Sequence, residues 1–388
     1  MDRRRFVTDR PLIESWLRAA LDAADPEVLT DRALTGRTGP VTVVAIGKAA
    51  PAMCRGAARA LGSIDGLCVT NHEAEVPAGV ELMLGDHPIP GENSARAARR
   101  ALELAPRASL ALISGGGSAL CELPVAGIEP SFVAEVNRTM LREGASIEEM
   151  NLVRSHLSAV KGGGLGPLPT YVLSDVGAAG PSVVSSGPTI PTESRLDEAI
   201  VVMRSYAIEP PAHVIDSMST RSASPVQDQL VQVVGDGRTA AIAAVAAVSA
   251  DIATARVQDG WLDGPTDAAV EEFVRGAGAG ITVAVGETTL HVRGEGTGGR
   301  NTHAALLAAR LIAGTSTKFA ALATDGVDGN SRAAGAIVDG LSLARGGDSD
   351  AALAHFDSAT YLRRSGDLLD TGPTGTNVAD LWLVWAPE

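Results

Sequence analysis

Residues 41–50 read Val-Thr-Val-Val-Ala-Ile-Gly-Lys-Ala-Ala. The run of β-branched and apolar residues predicts a buried strand over Val41–Ile46. Gly47 permits a tight turn, and the small residues after Lys48 predict the start of a helix. Lys48 then stands at a strand end beside a helix N-terminus, a natural place to bind a phosphate. The stretch is not a Walker A motif. Thr42 occupies the place of its first glycine, and Ala49 that of its Ser or Thr.

The same grammar recurs along the chain. Strands are predicted at Leu67–Thr70, Leu110–Ile113, Thr170–Leu173, Leu230–Val234, Ile281–Val285, Leu290–Arg293, Phe319–Ala323 and Leu381–Trp385. Between them lie helical segments such as Pro51–Leu61, Ser94–Leu104, Pro130–Glu143, Ile147–Val160 and Asn301–Ala313. Alternating strands and helices predict α/β layers with mostly parallel sheets. A length of 388 residues suggests two domains. The polar, Ser-rich stretch Met218–Gln229 reads as the linker between them. The expected division is therefore residues 1–217, a linker over 218–229, and residues 230–376. The final strand, about 377–388, is free to rejoin the first domain.

Composition narrows the function. The chain carries 32 basic and 46 acidic residues, a net charge of −14, which argues against a nucleic-acid or anionic-membrane partner. A small-molecule substrate held in a local basic pocket remains compatible, and a homodimer is left open. Hydrophobic residues make up 45% and aromatics only 3%, so the core is expected to be aliphatic. Cys54, Cys68 and Cys121 form an odd set without a CxxC pair, which disfavours a disulfide framework or a cysteine-rich zinc site and fits a reducing cytoplasm. The basic N-terminal decapeptide leads into no apolar run, so it does not read as a secretory signal. The longest apolar tract, residues 240–253, is too short to span a bilayer.

Glycine falls in clusters directly after the predicted strands, where open α/β sheets bind ligands. Ser114, Gly115, Gly116, Gly117 and Ser118 offer backbone N–H groups able to form an anion nest. They lack the GxSxG pattern of a nucleophile elbow. Arg154, His156 and Lys161 gather near one helix and its glycine-rich end. Asp175 follows a strand and suits a magnesium ion or a hydroxyl. Gly294, Gly296 and Gly299 satisfy GxGxxG, and Asp325 lies 26 residues past Gly299, a spacing like that of a dinucleotide fingerprint. Arg300 opens the following helix and can grip a carboxylate or phosphate through two hydrogen bonds. Asp325 and Asp328 share a loop, where they can hold Mg²⁺ or supply a general base. Residues 371–377, Thr-Gly-Pro-Thr-Gly-Thr-Asn, supply small polar groups that include Thr374.

Taken in order, GKAA, HPIP, SGGGSAL, NLVRSHLSAVKGG, LSDV with SSGPT, GETT, GGRN, TDGVDG with AAGAIVDG, and TGPTGTNV resemble the class II glycerate 2-kinase family with its C-terminal MOFRL module. The resemblance runs from about Val41 to Trp385. It implies two α/β/α domains with an inter-domain active-site cleft, and transfer of the ATP γ-phosphoryl group to the 2-hydroxyl of D-glycerate with Mg²⁺. It implies Lys48, Arg300 and Asp325 as catalytic residues, and Ser114 and Arg154 as substrate-binding ones. Gly115, Gly116, Gly117, Ser118, Asn301 and Thr374 are the implied nucleotide contacts, and Asp175 the metal ligand.

The chain also departs from the family pattern. Residues 177–180, Gly-Ala-Ala-Gly, replace an acidic stretch after Asp175. Thr302 and His303 replace Gln-Glu, Thr297 a lysine, and Gly91 an acid. Two further readings therefore stand beside the kinase: a binding protein that no longer turns over, or a kinase of another hydroxy acid. The GxGxxG pattern adds a third, an NAD(P)-dependent hydroxypyruvate reductase.

Overall fold

Strand β1 (Val41–Ile46) is buried at every position but one. A strand hidden on both faces belongs inside a parallel sheet covered by helices. In the computed structural model it lies third in a six-stranded sheet with β2 (Ile64–Thr70), β3 (Val80–Leu84), β4 (Leu110–Ile113), β5 (Thr170–Leu173) and β6 (Val231–Gly235). The order is β3-β2-β1-β4-β5-β6, and the β3–β2, β2–β1, β1–β4 and β4–β5 ladders are parallel. The direction of winding reverses between β1 and β4. Such a switch point opens a crevice at the carboxyl ends of the two strands, and the loops that leave there carry Lys48 and residues 114–118.

A second sheet comprises β7 (Ala255–Val257), β8 (Gly280–Gly286), β9 (Lys318–Ala323), β10 (Gly335–Asp339), β11 (Leu368–Leu369) and β12 (Asp380–Ala386), in the order β11-β10-β9-β12-β8-β7. The expectation of mostly parallel sheets holds for the first sheet and not for this one. Only β7 and β8 pair in parallel; the other four ladders are antiparallel. Residues 324–334 connect β9 to β10 without a helix, so the chain folds straight back, whereas a parallel return needs a longer crossover. The predicted strand at Leu290–Arg293 is irregular and largely exposed. The core here is also less purely aliphatic than expected. Phe273, Phe319 and Trp382 meet with ring centroids 5.7–6.3 Å apart.

The structure describes residues 3–177, 179–191, 195–221, 229–249, 252 and 254–387. They form two compact units: Pro26–Ser174 with Ala179–Val234, and Met1–Asp25 with Asp175–Ala178 and Gly235–Glu388. The first 25 residues therefore belong with the second sheet, contrary to the expected domain 1–217. Their helix (Arg3–Ala23) is fixed there by named contacts. The Arg10 guanidinium donates to the carbonyls of Gly366 and Leu368 at 3.2 and 2.6 Å. Trp16 packs edge-on against Trp385 at 5.3 Å. Lys318 pairs with Asp9 at 2.8 Å and lies 4.3 Å over the Trp385 ring. Likewise β12 does not rejoin the first sheet but sits between β8 and β9. Of the expected linker, Met218 to Thr220 end a helix (Ala212–Thr220), and residues 222–228 lie outside the described residues. Among the described residues no helix is long and apolar enough to cross a membrane.

Candidate active site

At the switch point of the first sheet, the turn after β1 and the loop after β4 are locked together. Lys48 N–H donates to the Gly115 carbonyl at 2.9 Å, and Ala49 N–H to Ser114 Oγ at 3.1 Å. The approach is close enough to demand glycine. Gly47 has φ +132°, and a Cβ there would fall 2.2 Å from Ser114 Oγ. Gly116 has φ +87°, and the aliphatic stem of Lys48 lies 3.1–3.6 Å from where its Cβ would be. The lysine thus runs over the bare backbone of the glycine loop.

A third segment clamps this loop. Ser185 Oγ donates to the Ser114 carbonyl at 2.6 Å and accepts from Gly117 N–H at 2.9 Å. Ser186 Oγ meets Ser118 Oγ at 2.7 Å and donates to Asn151 Oδ1 at 2.9 Å. Ser185, Ser186 and Gly187 have φ of 53°, 58° and 57°. Left-handed backbone costs a non-glycine residue roughly 1–2 kcal/mol, and such strain concentrates at functional sites. The serine pair opens the SSGPT motif, whose clamping role the sequence alone does not reveal. Ser114 is fully buried; its Oγ accepts from Ala49 N–H and its carbonyl from Ser185 Oγ.

Arg154 lies on a helix (Ile147–Leu157) and donates from Nε to Asn137 Oδ1 at 2.6 Å. Burial lowers its pKa, and the charge of Glu122 partly offsets that. Lys161, which reads as a helix C-terminus, instead forms a buried ion pair with Glu122.

The second sheet positions the other predicted residues. Arg300 opens a helix (Arg300–Leu311) and holds Asp380 from Nε and Nη2, at 2.5 and 3.3 Å, and Glu287 from Nη1 at 2.7 Å. Burial works against the guanidinium charge, but Asp380 and Glu287 carry its pKa above the usual value. Burial pushes Asp380 up to about 6 despite Arg300. Two carboxylates around one arginine fix its direction more than they leave surplus positive charge.

Asp328 is engaged by a helix N-terminus. Its carboxylate accepts from the backbone N–H groups of Asn301 and Thr302 at 2.9 and 2.7 Å, and from Thr302 Oγ1 at 2.8 Å, so it caps the helix. Asn301 is fully buried, donating to Asp328 at 3.3 Å and accepting from Trp382 Nε1 at 3.0 Å. Both ends of its amide are engaged within the protein. Asp325 is half-buried at the end of β9, accepting from Val327 N–H at 3.0 Å, and its carbonyl lies 3.4 Å from Thr374 N. Asp175 accepts from Asn377 Nδ2 at 3.2 Å. Among the described residues no group of three or more His, Cys, Asp or Glu side chains is placed to hold a metal ion.

The GxGxxG glycines have a structural explanation. A Cβ on Gly294 or Gly296 would meet the His355 carbonyl at 2.6 or 2.4 Å, and one on Gly299 would meet Asp328 at 2.5 Å. They let the chain pack on itself, so the dinucleotide reading loses its sequence support. Thr302 spends its hydroxyl on the Asp328 cap, and His303 lies 3.3 Å from Asp267 and stacks on Phe356.

Residues 12–219 match the family model described as a domain of unknown function, DUF4147, and residues 280–380 match the MOFRL family. The D-glycerate 2-kinase of Thermotoga maritima is 35% identical, over 88% of this chain and 89% of that protein. This chain belongs to the glycerate 2-kinase family. The crystal structure of a glycerate kinase from Thermotoga maritima superposes with a TM-score of 0.87 at 32% identity, over 98% of this chain and 99% of that one. A protein of Agrobacterium vitis named "Putative hydroxypyruvate reductase" is 34% identical over 97% of this chain and 94% of its own length. Lys48 and the glycine loop fall in the first matched region of this glycerate 2-kinase family member, and Arg300 in the MOFRL region.

The buried Asp380 gives a pH test. Its pKa rises from about 3.9 in an unfolded chain to about 6. Between those values the folded chain keeps a proton that the unfolded chain has lost. Stability therefore falls as pH rises through the window and levels off above it. Asp380→Asn cannot titrate, so the wild-type-minus-variant difference should change by on the order of 2–3 kcal/mol between about pH 4 and pH 6. Denaturant titrations at several pH values check this, and parallel curves for the two chains would refute it.

Proposed function

We propose that the protein transfers the γ-phosphoryl group of ATP to the 2-hydroxyl of D-glycerate, releasing ADP and 2-phosphoglycerate. The observation that carries this reading is Lys48 lying on Gly116 at the β1/β4 switch point, in a chain whose relatives include a D-glycerate 2-kinase. Phosphoryl transfer needs positioning and compensation of charge rather than covalent help. Gly115, Gly116, Gly117 and Ser118 cradle the nucleotide phosphates, and Lys48 offsets charge on the transferring group. Arg154 binds the acceptor carboxylate. Arg300 is the second catalytic cation, directed by Asp380, and Thr374 contacts the nucleotide.

Asp325 accepts the proton of the attacking hydroxyl as the new O–P bond forms and the bond to ADP breaks. Asp175, with Asn377 beside it, would hold a magnesium ion. That ion would supply charge compensation. The buried thiols of Cys54, Cys68 and Cys121 suit a reducing cytoplasm.

A coupled ADP-release assay with ATP, Mg²⁺ and D-glycerate, followed by phosphorus NMR of the product, tests the reading. Release of ADP together with a 2-phosphoglycerate resonance is expected. Folded protein that turns over neither D-glycerate nor other sugar acids would overturn it in favour of a binding protein. The name of the Agrobacterium relative supports a second reading, reduction of hydroxypyruvate. An NADH fluorescence titration separates the two, and no binding is expected.

A further inference from the structure

We propose that Ser185 is a positioning residue whose hydroxyl sets the opening of the glycine loop, residues 114–117, on which the phosphate donor is held. The assignment rests on the phosphotransferase reading, and every residue it uses lies in the first unit.

Ser114 and Gly117 are the first and fourth residues of the turn that follows β4. The distance from the carbonyl of the first to the N–H of the fourth decides how wide such a turn opens. Ser185 Oγ stands between these two groups. It donates to the Ser114 carbonyl at 2.6 Å and accepts from Gly117 N–H at 2.9 Å. One distant side chain therefore spans the whole turn. The fit is close: a Cβ on Gly117 would fall 2.4 Å from Ser185 Oγ and 2.8 Å from its Cβ. The arc so braced carries Gly116, on which the Lys48 stem lies, and Gly115, whose carbonyl accepts from Lys48 N–H at 2.9 Å. A change in the opening is passed to the lysine as well as to the loop.

The backbone that presents this hydroxyl is unfavourable. Ser185 and Ser186 have φ of 53° and 58°, a conformation that glycine adopts freely and other residues resist. A glycine at position 185 would hold the same backbone more easily. What serine adds is the hydroxyl, and both of its hydrogen bonds go to the glycine loop. Strain of this kind persists where the surroundings over-determine a functional geometry.

Those surroundings are well fixed. Gly162 N–H and Gly163 N–H donate to the carbonyls of Ser186 and Gly187 at 2.9 and 2.7 Å, and Leu165 N–H to that of Pro188 at 2.9 Å. Thr189 Oγ1 meets Thr170 Oγ1 of β5 at 2.8 Å. Ser186 adds a second tie, through Ser118 Oγ at 2.7 Å and Asn151 Oδ1 at 2.9 Å. The KGGG and SSGPT stretches thus act together, one as the backing and the other as the brace of the donor loop. A loop held in shape before the nucleotide arrives is preorganised, and phosphoryl transfer depends on such positioning.

Ser185→Ala and Ser185→Gly both delete the hydroxyl and differ in backbone freedom. The glycine variant should melt at the higher temperature, because glycine accepts the left-handed conformation. Calorimetric titration with ADP, and steady-state kinetics with ATP, Mg²⁺ and D-glycerate, then separate positioning from stability. ADP affinity and kcat should each fall at least about tenfold, by the same factor in both variants despite their different melting temperatures. KM for D-glycerate should move less. If Ser185→Ala fails to fold, Ser185→Gly decides against wild type.

Unchanged ADP affinity and kcat in a folded variant overturn the proposal and leave the phosphotransferase reading standing. Losses that follow melting temperature, large in the alanine variant and small in the glycine one, also overturn it, since they mark a purely structural tie. If wild type binds ADP but phosphorylates no hydroxy acid, and both variants weaken ADP binding equally, the positioning role stands and the phosphotransferase reading falls. Wild type that binds no nucleotide brings down both.

Discussion

Lys48→Ala and Arg300→Ala should each lower turnover of D-glycerate at least about 100-fold, the size expected when a charge that stabilises the transition state is removed. The two losses have different origins. Lys48 sits on the glycine loop with its stem against Gly116, so its removal deletes a cation from that loop. Removal of Arg300 also strips Asp380, 3% exposed, of its counter-ion. Some of that loss will be structural. Arg300→Lys resolves this: it keeps the charge but cannot span both Asp380 oxygens as the guanidinium does. A fold that survives in Arg300→Lys with activity still down at least tenfold would mark the two-point grip itself as necessary. Steady-state kinetics with melting temperatures provide the test. Near-normal rates in both alanine variants would remove these residues from the mechanism.

Gly47→Ala should abolish activity and destabilise the protein by about 3 kcal/mol or more. The added methyl would lie 2.2 Å from Ser114 Oγ and 2.5 Å from the Ser114 carbonyl oxygen. That carbonyl is held by Ser185 and cannot yield. The backbone at φ +132° is itself unfavourable for any side chain. Gly62→Ala is the control. Gly62 has φ +84° but nothing within 4 Å of a Cβ, so it measures backbone strain alone, about 1 kcal/mol. Denaturant midpoints for the two variants should differ clearly. Equal midpoints would mean that the loop has room that the structure does not show.

Three strands, β1, β4 and β5, were legible to the residue, because each is a short apolar run stopped by a polar residue or glycine. Leu290–Arg293 failed for a physical reason. Its Leu-His-Val-Arg alternation has the period of a strand, but Val292 is 58% exposed and no neighbouring strand pairs with it. Strand β10 went unread because glycines on both sides gave it the look of a loop.

The glycine loop was legible because close approach dictates residue type locally. Its clamp was not. Ser185 lies 68 residues from Gly117, and Asp380 lies 80 from Arg300. The capping role of Asp328 was not legible because a carboxylate that caps a helix and one that holds a metal look alike in sequence. The surrounding donors decide between them, and these are backbone N–H groups.

The placement of helix Arg3–Ala23 bears on how the chain is made. A ribosome delivers this helix before either sheet, yet the residues it contacts include Leu368 and Trp385. The second sheet cannot close until β12, its inner strand and the last in the sequence, has been synthesised. The nascent helix must then keep its apolar face uncommitted while the whole parallel sheet is built, a delay of roughly 10–40 s at ordinary elongation rates. A chain that stopped before Asp380 would lack the Trp385 contact of that face and the inner strand of the second sheet, and it would be a target for chaperones and proteases even with its parallel sheet intact.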